Sequence, residues 1–142
     1  MKVTKDFILQ EFVPKEIYDQ FGDKSIWFID PKMPIIVQAI RDILGCPITI
    51  NNWHLGGHYN NSGYRTPKCT EGASLSQHRF GRAADLKPDG ISIREAMDKV
   101  KANFPMLRAI GLTTIENIAF TKTWLHIDTR WTGSDELLIV NP

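Results

Sequence analysis

Residues 76–85 read SQHRFGRAAD, and residues 124–128 read WLHID. Together the two stretches supply two histidines and one aspartate, His78, Asp85 and His126, as candidate metal ligands. Zinc binds such donors, and three protein ligands leave its fourth tetrahedral position open, as in catalytic rather than structural sites. Iron, cobalt and manganese accept the same nitrogen and oxygen donors. We therefore predict a site for one metal ion per chain, and we expect zinc.

Residues of two kinds alternate along the second stretch and its continuation to residue 130, as expected of a strand with one buried face. One face carries Trp124, His126, Asp128 and Arg130, and the other carries Leu125, Ile127 and Thr129. Residues 83–87 are predicted to form a strand that carries Asp85, and Asp85 would lie beside His126 if the two strands are neighbours. A glycine at position 81 can adopt backbone angles closed to other residues, which would let the chain aim His78 and Asp85 at one point.

The pattern S-x-H-x-x-G-x-A-x-D followed by W-x-H-x-D resembles the zinc D-Ala-D-Ala carboxypeptidases and L-alanyl-D-glutamate endopeptidases, the peptidase M15-like family, which includes phage endolysins. Residues 62–67, SGYRTP, are similar to the segment that precedes the first motif in these enzymes. The resemblance covers roughly residues 35–131. It implies an α+β, hedgehog-like fold in which a small antiparallel sheet carries the zinc site and helices pack mainly on one face.

The resemblance also implies metal-assisted hydrolysis of amide bonds in peptidoglycan stem or cross-link peptides, of the D,D or L,D type. A carboxylate near the metal would pass a proton from the attacking water to the leaving amine. Related enzymes usually carry it three residues before the last histidine ligand, where this chain has Thr123. The alternative is a weak or inactive metal-binding domain that recognises cell-wall peptide, or a structural module of a virus particle.

Glu116 and Asp128 are the candidates to replace the missing carboxylate. Glu116 is favoured as the base. The alternative is that Glu116 is a solvated strand residue or is paired with a neighbouring Lys or Arg. Asp128 either orients a ligand histidine or pairs with Arg130. The resemblance implies that Arg65 binds a carboxylate or carbonyl of the substrate. The alternative is that Arg65 fixes its own loop by hydrogen bonds. Ser76 either hydrogen-bonds substrate or caps a turn.

Other histidines and aromatic residues are less specific. His54 and His58 have no partner at metal-ligand spacing, and we predict that neither is a ligand. Trp53, Tyr64 and Trp124 either form cleft walls or lie in the core.

Length and composition indicate one globular domain over residues 1–142. The net charge of +1 argues against a nucleic-acid partner. No apolar run approaches the roughly 20 residues of a membrane span. Cys46 and Cys69 are predicted to be free thiols. Without a recognisable signal peptide, the protein is expected to be made in the cytoplasm and to act on the cell wall after release or as part of a phage particle.

Hydrophobic periodicity and the positions of proline, glycine and capping residues predict the remaining helices and strands. A helix should follow Pro14 and end near Gly22. A second helix over 35–44 has its apolar face on Ile36, Ala39, Ile40 and Ile43. Residues 47–50 form a strand, and Ser92 caps a helix that runs to about Asn103, with Ala96, Val100 and Phe104 on its buried stripe. Strands over 110–120 and 124–129 form a hairpin through residues 121–123.

Overall fold

The computed structural model describes all 142 residues, and its sheet has five strands in the order β1-β2-β4-β3-β5. The strands are β1 (Ile48–Thr49), β2 (Ala83–Pro88), β3 (Thr114–Glu116), β4 (Leu125–Asp128) and β5 (Leu138–Val140). Neighbours among β1 to β4 are antiparallel, whereas β5 runs parallel to β3 at one edge. The predicted α+β class with a small sheet is confirmed.

Four helices accompany the sheet: α1 (Lys15–Phe21), α2 (Lys32–Leu44), α3 (Ile93–Ala102) and α4 (Phe104–Ala109). None of them has the length and hydropathy needed to cross a membrane. Helix α2 begins before Pro34 rather than after it, because a proline in the first turn lacks only an N–H that the helix would leave unpaired. The Ser92 hydroxyl accepts the Glu95 N–H, as predicted.

The core lies between the sheet and the helices α2 and α3. Ile36 and Ile40 of α2 and Val100 of α3 are fully buried in one cluster with Leu86 and Ile127 of the sheet. Because side chains alternate along a strand, this packing leaves Asp85 and His126 on the opposite face. Packing of one face of the sheet in the core therefore determines which side chains lie on the other face, at the candidate site.

The hairpin differs from the prediction in length. Only Thr114–Glu116 of residues 110–120 form a strand. The side-chain oxygen of Asn117 accepts the Ala119 N–H, and its carbonyl accepts the Phe120 N–H, so that a turn begins directly after Glu116. The connection to β4 therefore spans residues 117–124 rather than a three-residue turn.

One further expectation is corrected, and one strand was not expected. Phe104 does not continue the buried stripe of α3, because it opens the separate helix α4 and is only half-buried. Strand β5 was not predicted, since three apolar residues are too short a run to identify a strand by periodicity. Both cysteines are free thiols.

We expect Gly81→Ala to lower the free energy of unfolding by about 1–3 kcal/mol or more. Gly81 has φ +67°, and a Cβ there would collide with the Phe28 carbonyl oxygen. Urea unfolding of the variant would measure the loss, with Gly90→Ala as a control at φ +75° but in open space. Equal losses in the two variants would show that the collision contributes nothing.

Candidate metal centre

Three donor atoms converge on one face of the sheet. His78 Nε2 lies 3.3 Å and His126 Nδ1 lies 3.0 Å from the same oxygen, Asp85 Oδ1. Strands β2 and β4 are neighbours, so that Asp85 and His126 are direct cross-strand partners, and all three side chains are buried. Donors held tetrahedrally at about 2.1 Å from zinc lie about 3.4 Å apart, so this donor set fits such an ion in both spacing and chemistry.

His78 is held by the segment that precedes it in sequence. Its Nδ1 lies 2.7 Å from the Gly63 carbonyl oxygen, which leaves Nε2 to face Asp85. The Arg65 N–H donates to the His78 carbonyl at 3.0 Å, and the Asp85 N–H donates to the Ser62 carbonyl at 2.7 Å. The SGYR segment therefore positions two of the three candidate ligands through its backbone.

His126 is held from behind by Asp128. The imidazole Nε2 lies 2.9 Å from Asp128 Oδ2, and that carboxylate also accepts bonds from Arg130 Nε at 2.9 Å and Nη2 at 2.6 Å. Asp128 is fully buried, with no exposed surface. Both alternatives considered for Asp128 are therefore present at once. A carboxylate in this place orients a ligand histidine, and its lack of exposure disfavours it as a base for substrate water.

The charges of the three donor side chains act strongly on one another. Burial opposes ionisation of Asp85, but the charges and hydrogen bonds of His78 and His126 outweigh it and hold the pKa of Asp85 well below its ordinary value. Burial likewise opposes protonation of His126, but hydrogen bonds to Asp128 and Asp85 raise the pKa of His126 to about 9. A cation that binds here therefore replaces a proton.

We expect the affinity for zinc to rise with pH up to about 9, because zinc must displace the His126 proton. In the metal-free protein this pKa lies above the ordinary 6.5, so protonation of His126 stabilises the fold. That contribution is complete below about pH 6.5 and is lost as the pH rises through about 9. Zinc titrations across this range would measure the effect, and a constant affinity would contradict it.

A cleft of about 400 Å³ opens above the three donors. Glu116, at the end of β3, lines it and places Oε1 3.7 Å from His126 Nδ1. Burial raises the pKa of Glu116, attraction by His126 opposes this shift, and repulsion by Asp85 adds to it. Asp128, by contrast, does not line the cleft. Of the two predicted carboxylates, only Glu116 therefore faces the cleft.

Arg65 pins its own loop, which is one of the two roles that the sequence left open, and it also lines the cleft. Its Nε donates to the Asn61 carbonyl at 2.7 Å, which pins its own loop, and one terminal nitrogen donates to Asp85 at 3.2 Å. The other terminal nitrogen makes no hydrogen bond, and the residue lines the cleft. Ser76 also lines the cleft, and its side chain does not cap the short 3-10 turn that follows it.

The aromatic and histidine predictions divide between cleft and core. Trp124 lines the cleft, whereas Tyr64 is buried and stacks on Phe28. The Trp53 indole donates to the Val13 carbonyl at 2.9 Å. Neither His54 nor His58 belongs to the donor group.

Two features were not predicted from the sequence: Lys87, which lines a neighbouring pocket that shares Arg65 and Asp85 with the cleft, and one wall of the cleft itself. Lys87 follows Asp85 on the same face of β2 and donates to the Ser62 hydroxyl at 2.8 Å and to the Asp85 carbonyl at 3.1 Å. Strand alternation could have found it. Residues 140–142 form part of the cleft wall, and no local signal in the sequence indicates this.

The sequence model of the family described as peptidase M15 matches residues 10–128. The chain belongs to the peptidase M15 family. No curated protein and no solved structure gives a significant match. Peptidases of the M15 family are typically zinc-dependent, and the His-Asp-His group of this M15 domain could hold such an ion.

For this M15 domain we expect Asp128→Asn to weaken zinc binding about 10- to 100-fold. The substitution removes the charge that orients His126 but preserves the shape of the side chain. Competition with a chelator would measure the affinity, and Asp98→Asn on the exposed face of α3 is the control. Equal affinities in the two variants would show that Asp128 serves only the ion pair with Arg130.

Proposed function

We propose that this M15 domain is a zinc-dependent peptidase that hydrolyses amide bonds in peptidoglycan stem or cross-link peptides. The observation that carries the proposal is Glu116, whose carboxylate lies 3.7 Å from His126 inside the cleft. It offers the carboxylate that Thr123 lacks, although it comes from a different strand. Action on the cell wall, outside the cytoplasm, is part of the proposal, as is an origin in a phage or prophage.

In the proposed reaction Glu116 moves the protons. When bound, zinc supplies Lewis-acid polarisation of the scissile carbonyl and activation of water. Glu116 accepts a proton from the attacking water at Oε1 and delivers it to the nitrogen of the leaving amine. A carboxyl whose pKa is raised by burial suits both halves of this transfer, because it can hold the proton between them.

Arg65 and Ser76 are proposed to position the peptide. The unpaired terminal nitrogen of Arg65 is available to a carboxylate or carbonyl of the substrate, while its other bonds hold the guanidinium still. The Ser76 hydroxyl lies in the same cleft and offers a second hydrogen bond. Positioning of this kind lowers the barrier by keeping the scissile bond near the reacting groups.

Digestion of purified peptidoglycan by the zinc-loaded protein tests this function. Mass spectrometry of the products should find shortened stem peptides or new free amines, and these identify the cleaved bond. The zinc-loaded Glu116→Gln variant is the control for contaminating hydrolases. Intact peptidoglycan after prolonged incubation, with one zinc bound per chain, would overturn the proposal.

A second candidate function is recognition of cell-wall peptide without cleavage. Thr123 favours it, because the position where related enzymes carry the carboxylate cannot exchange a proton here. In that case the protein would cosediment with peptidoglycan and release no product, and Glu116→Gln would leave the binding unchanged.

A further inference from the structure

A second cleft of about 550 Å³ lies beside the metal centre and shares Arg130 with it. Four cationic side chains line it, Lys32, Arg82, Arg108 and Arg130, against the two carboxylates of Asp30 and Asp135. Asp30 already accepts the Lys32 N–H and the Thr129 hydroxyl, and Asp135 already pairs with Arg108. Because Arg130 is paired with Asp128 and Arg108 with Asp135, the excess positive charge of the second cleft comes from Lys32 and Arg82 against Asp30 alone.

Arg82 is the most unusual of these cations. Its guanidinium makes no hydrogen bond within the protein, although its Nε is fully buried. The group lies over the Phe80 ring, 4.9 Å from the centroid, and this contact holds its plane without using any of its five donors. The terminal N–H groups of Arg82 likewise have no partner in the protein, and the residue lines the second cleft, so the arrangement favours a ligand that accepts from these terminal groups.

Arg108 repeats the pattern at the same cleft. One terminal nitrogen donates to the Ser134 carbonyl at 2.9 Å and to Asp135 at 2.6 Å. Its Nε is buried without a partner, as in Arg82. Two guanidinium groups with unused donors match the geometry of a carboxylate or phosphate, which accepts paired N–H bonds.

Trp131 forms part of the rim. Its side chain is 89% exposed, and its ring rests against Gly133, where a Cβ would lie 3.4 Å from it. An exposed indole next to free cationic donors is typical of a surface that contacts a partly apolar ligand. It also provides a spectroscopic reporter for the second cleft, as Trp124 does for the metal cleft.

We propose that the second cleft binds an oxyanion group, a phosphate or a carboxylate, through Arg82 and Arg108. The group either belongs to a free ion or is carried by the cell-wall polymer, which could contact both clefts across Arg130. The site does not depend on the proposed hydrolysis, because no residue of the donor group or Glu116 belongs to it.

Titration of the zinc-loaded protein with inorganic phosphate, followed by nuclear magnetic resonance of the tryptophan indole N–H groups, tests for a free ion. Phosphate should shift the Trp131 signal in a saturable manner, with chloride at equal ionic strength as the reference. Arg82→Ala should weaken binding about tenfold or more, whereas Arg94→Ala, which removes an exposed charge from α3, should not. A shift confined to Trp124 would place phosphate in the metal cleft and count against the proposal.

Cosedimentation with purified peptidoglycan tests for an oxyanion on the polymer. In a Glu116→Gln background, which prevents digestion, Arg82→Ala should reduce the sedimented fraction severalfold relative to Arg94→Ala. An effect in this experiment alone assigns the group to the polymer, and an effect in the phosphate titration alone assigns it to a free ion. Absence of both effects overturns the proposal. Arg108→Ala replaces Arg82→Ala in each experiment if circular dichroism shows that the latter is unfolded.

Discussion

Glu116→Gln is expected to reduce the rate of peptide hydrolysis by about a hundredfold to ten-thousandfold, the usual contribution of a general base. The amide keeps the size of the side chain but cannot accept the proton of the attacking water. Zinc affinity should change much less, because the His-Asp-His donors remain in place. Single-turnover digestion of peptidoglycan, with zinc content measured on the same samples, would separate the two effects.

Glu136→Gln is the matched control for this substitution. Glu136 is exposed and belongs to neither cleft, so the variant makes the same chemical change outside the site. Its rate should equal that of the unmodified protein. If Glu116→Gln also retained the full rate, Glu116 would not be the base, even if hydrolysis itself were real.

His78→Ala is expected to weaken zinc binding by more than about 100-fold, which exceeds the usual effect of a residue that only orients a ligand. The substitution leaves two donors, Asp85 and His126, and opens the site to water. It also removes the imidazole Nδ1 whose hydrogen bond the Gly63 carbonyl oxygen accepts. Zinc content after dialysis, together with competition against a chelator of known affinity, would measure the loss.

His54→Ala is the control for the loss of a histidine. His54 lies on the 3-10 turn Trp53–Leu55, packs edge-on against the Trp53 ring, and lies outside the donor group. The variant should bind zinc with unchanged affinity. Equal zinc binding by His78→Ala and His54→Ala would exclude the proposed donor set, whatever the activity of either variant.

Local sequence carries enough information to predict the centre of the site. The alternation of residues 124–130 predicts which side chains share a face, and Asp85 does lie opposite His126 in the sheet. Such a prediction succeeds because a slip of one residue would turn Leu125 and Ile127 out of the core.

The rest depends on distant contacts that no local pattern encodes. The end of β3 at Glu116 is set by the Asn117 turn, and the wall at residues 140–142 is set by the pairing of β5 with β3. Arg82 and Arg108 are 26 positions apart in sequence. That they line one cleft with unused hydrogen-bond donors can therefore be seen only in the folded structure. Tertiary packing, rather than propensity, decides these features.

The parallel pairing of β5 with β3 has a practical consequence for work with the protein. Val140 pairs with Glu116, and residues 140–142 reach the wall of the cleft above the donor atoms. A polyhistidine affinity tag attached after Pro142 would hold additional imidazoles at the mouth of the metal centre, where they would compete for zinc and obstruct peptides. Purification by a tag placed before Met1, and removed by a protease, avoids a false result in every zinc titration described above.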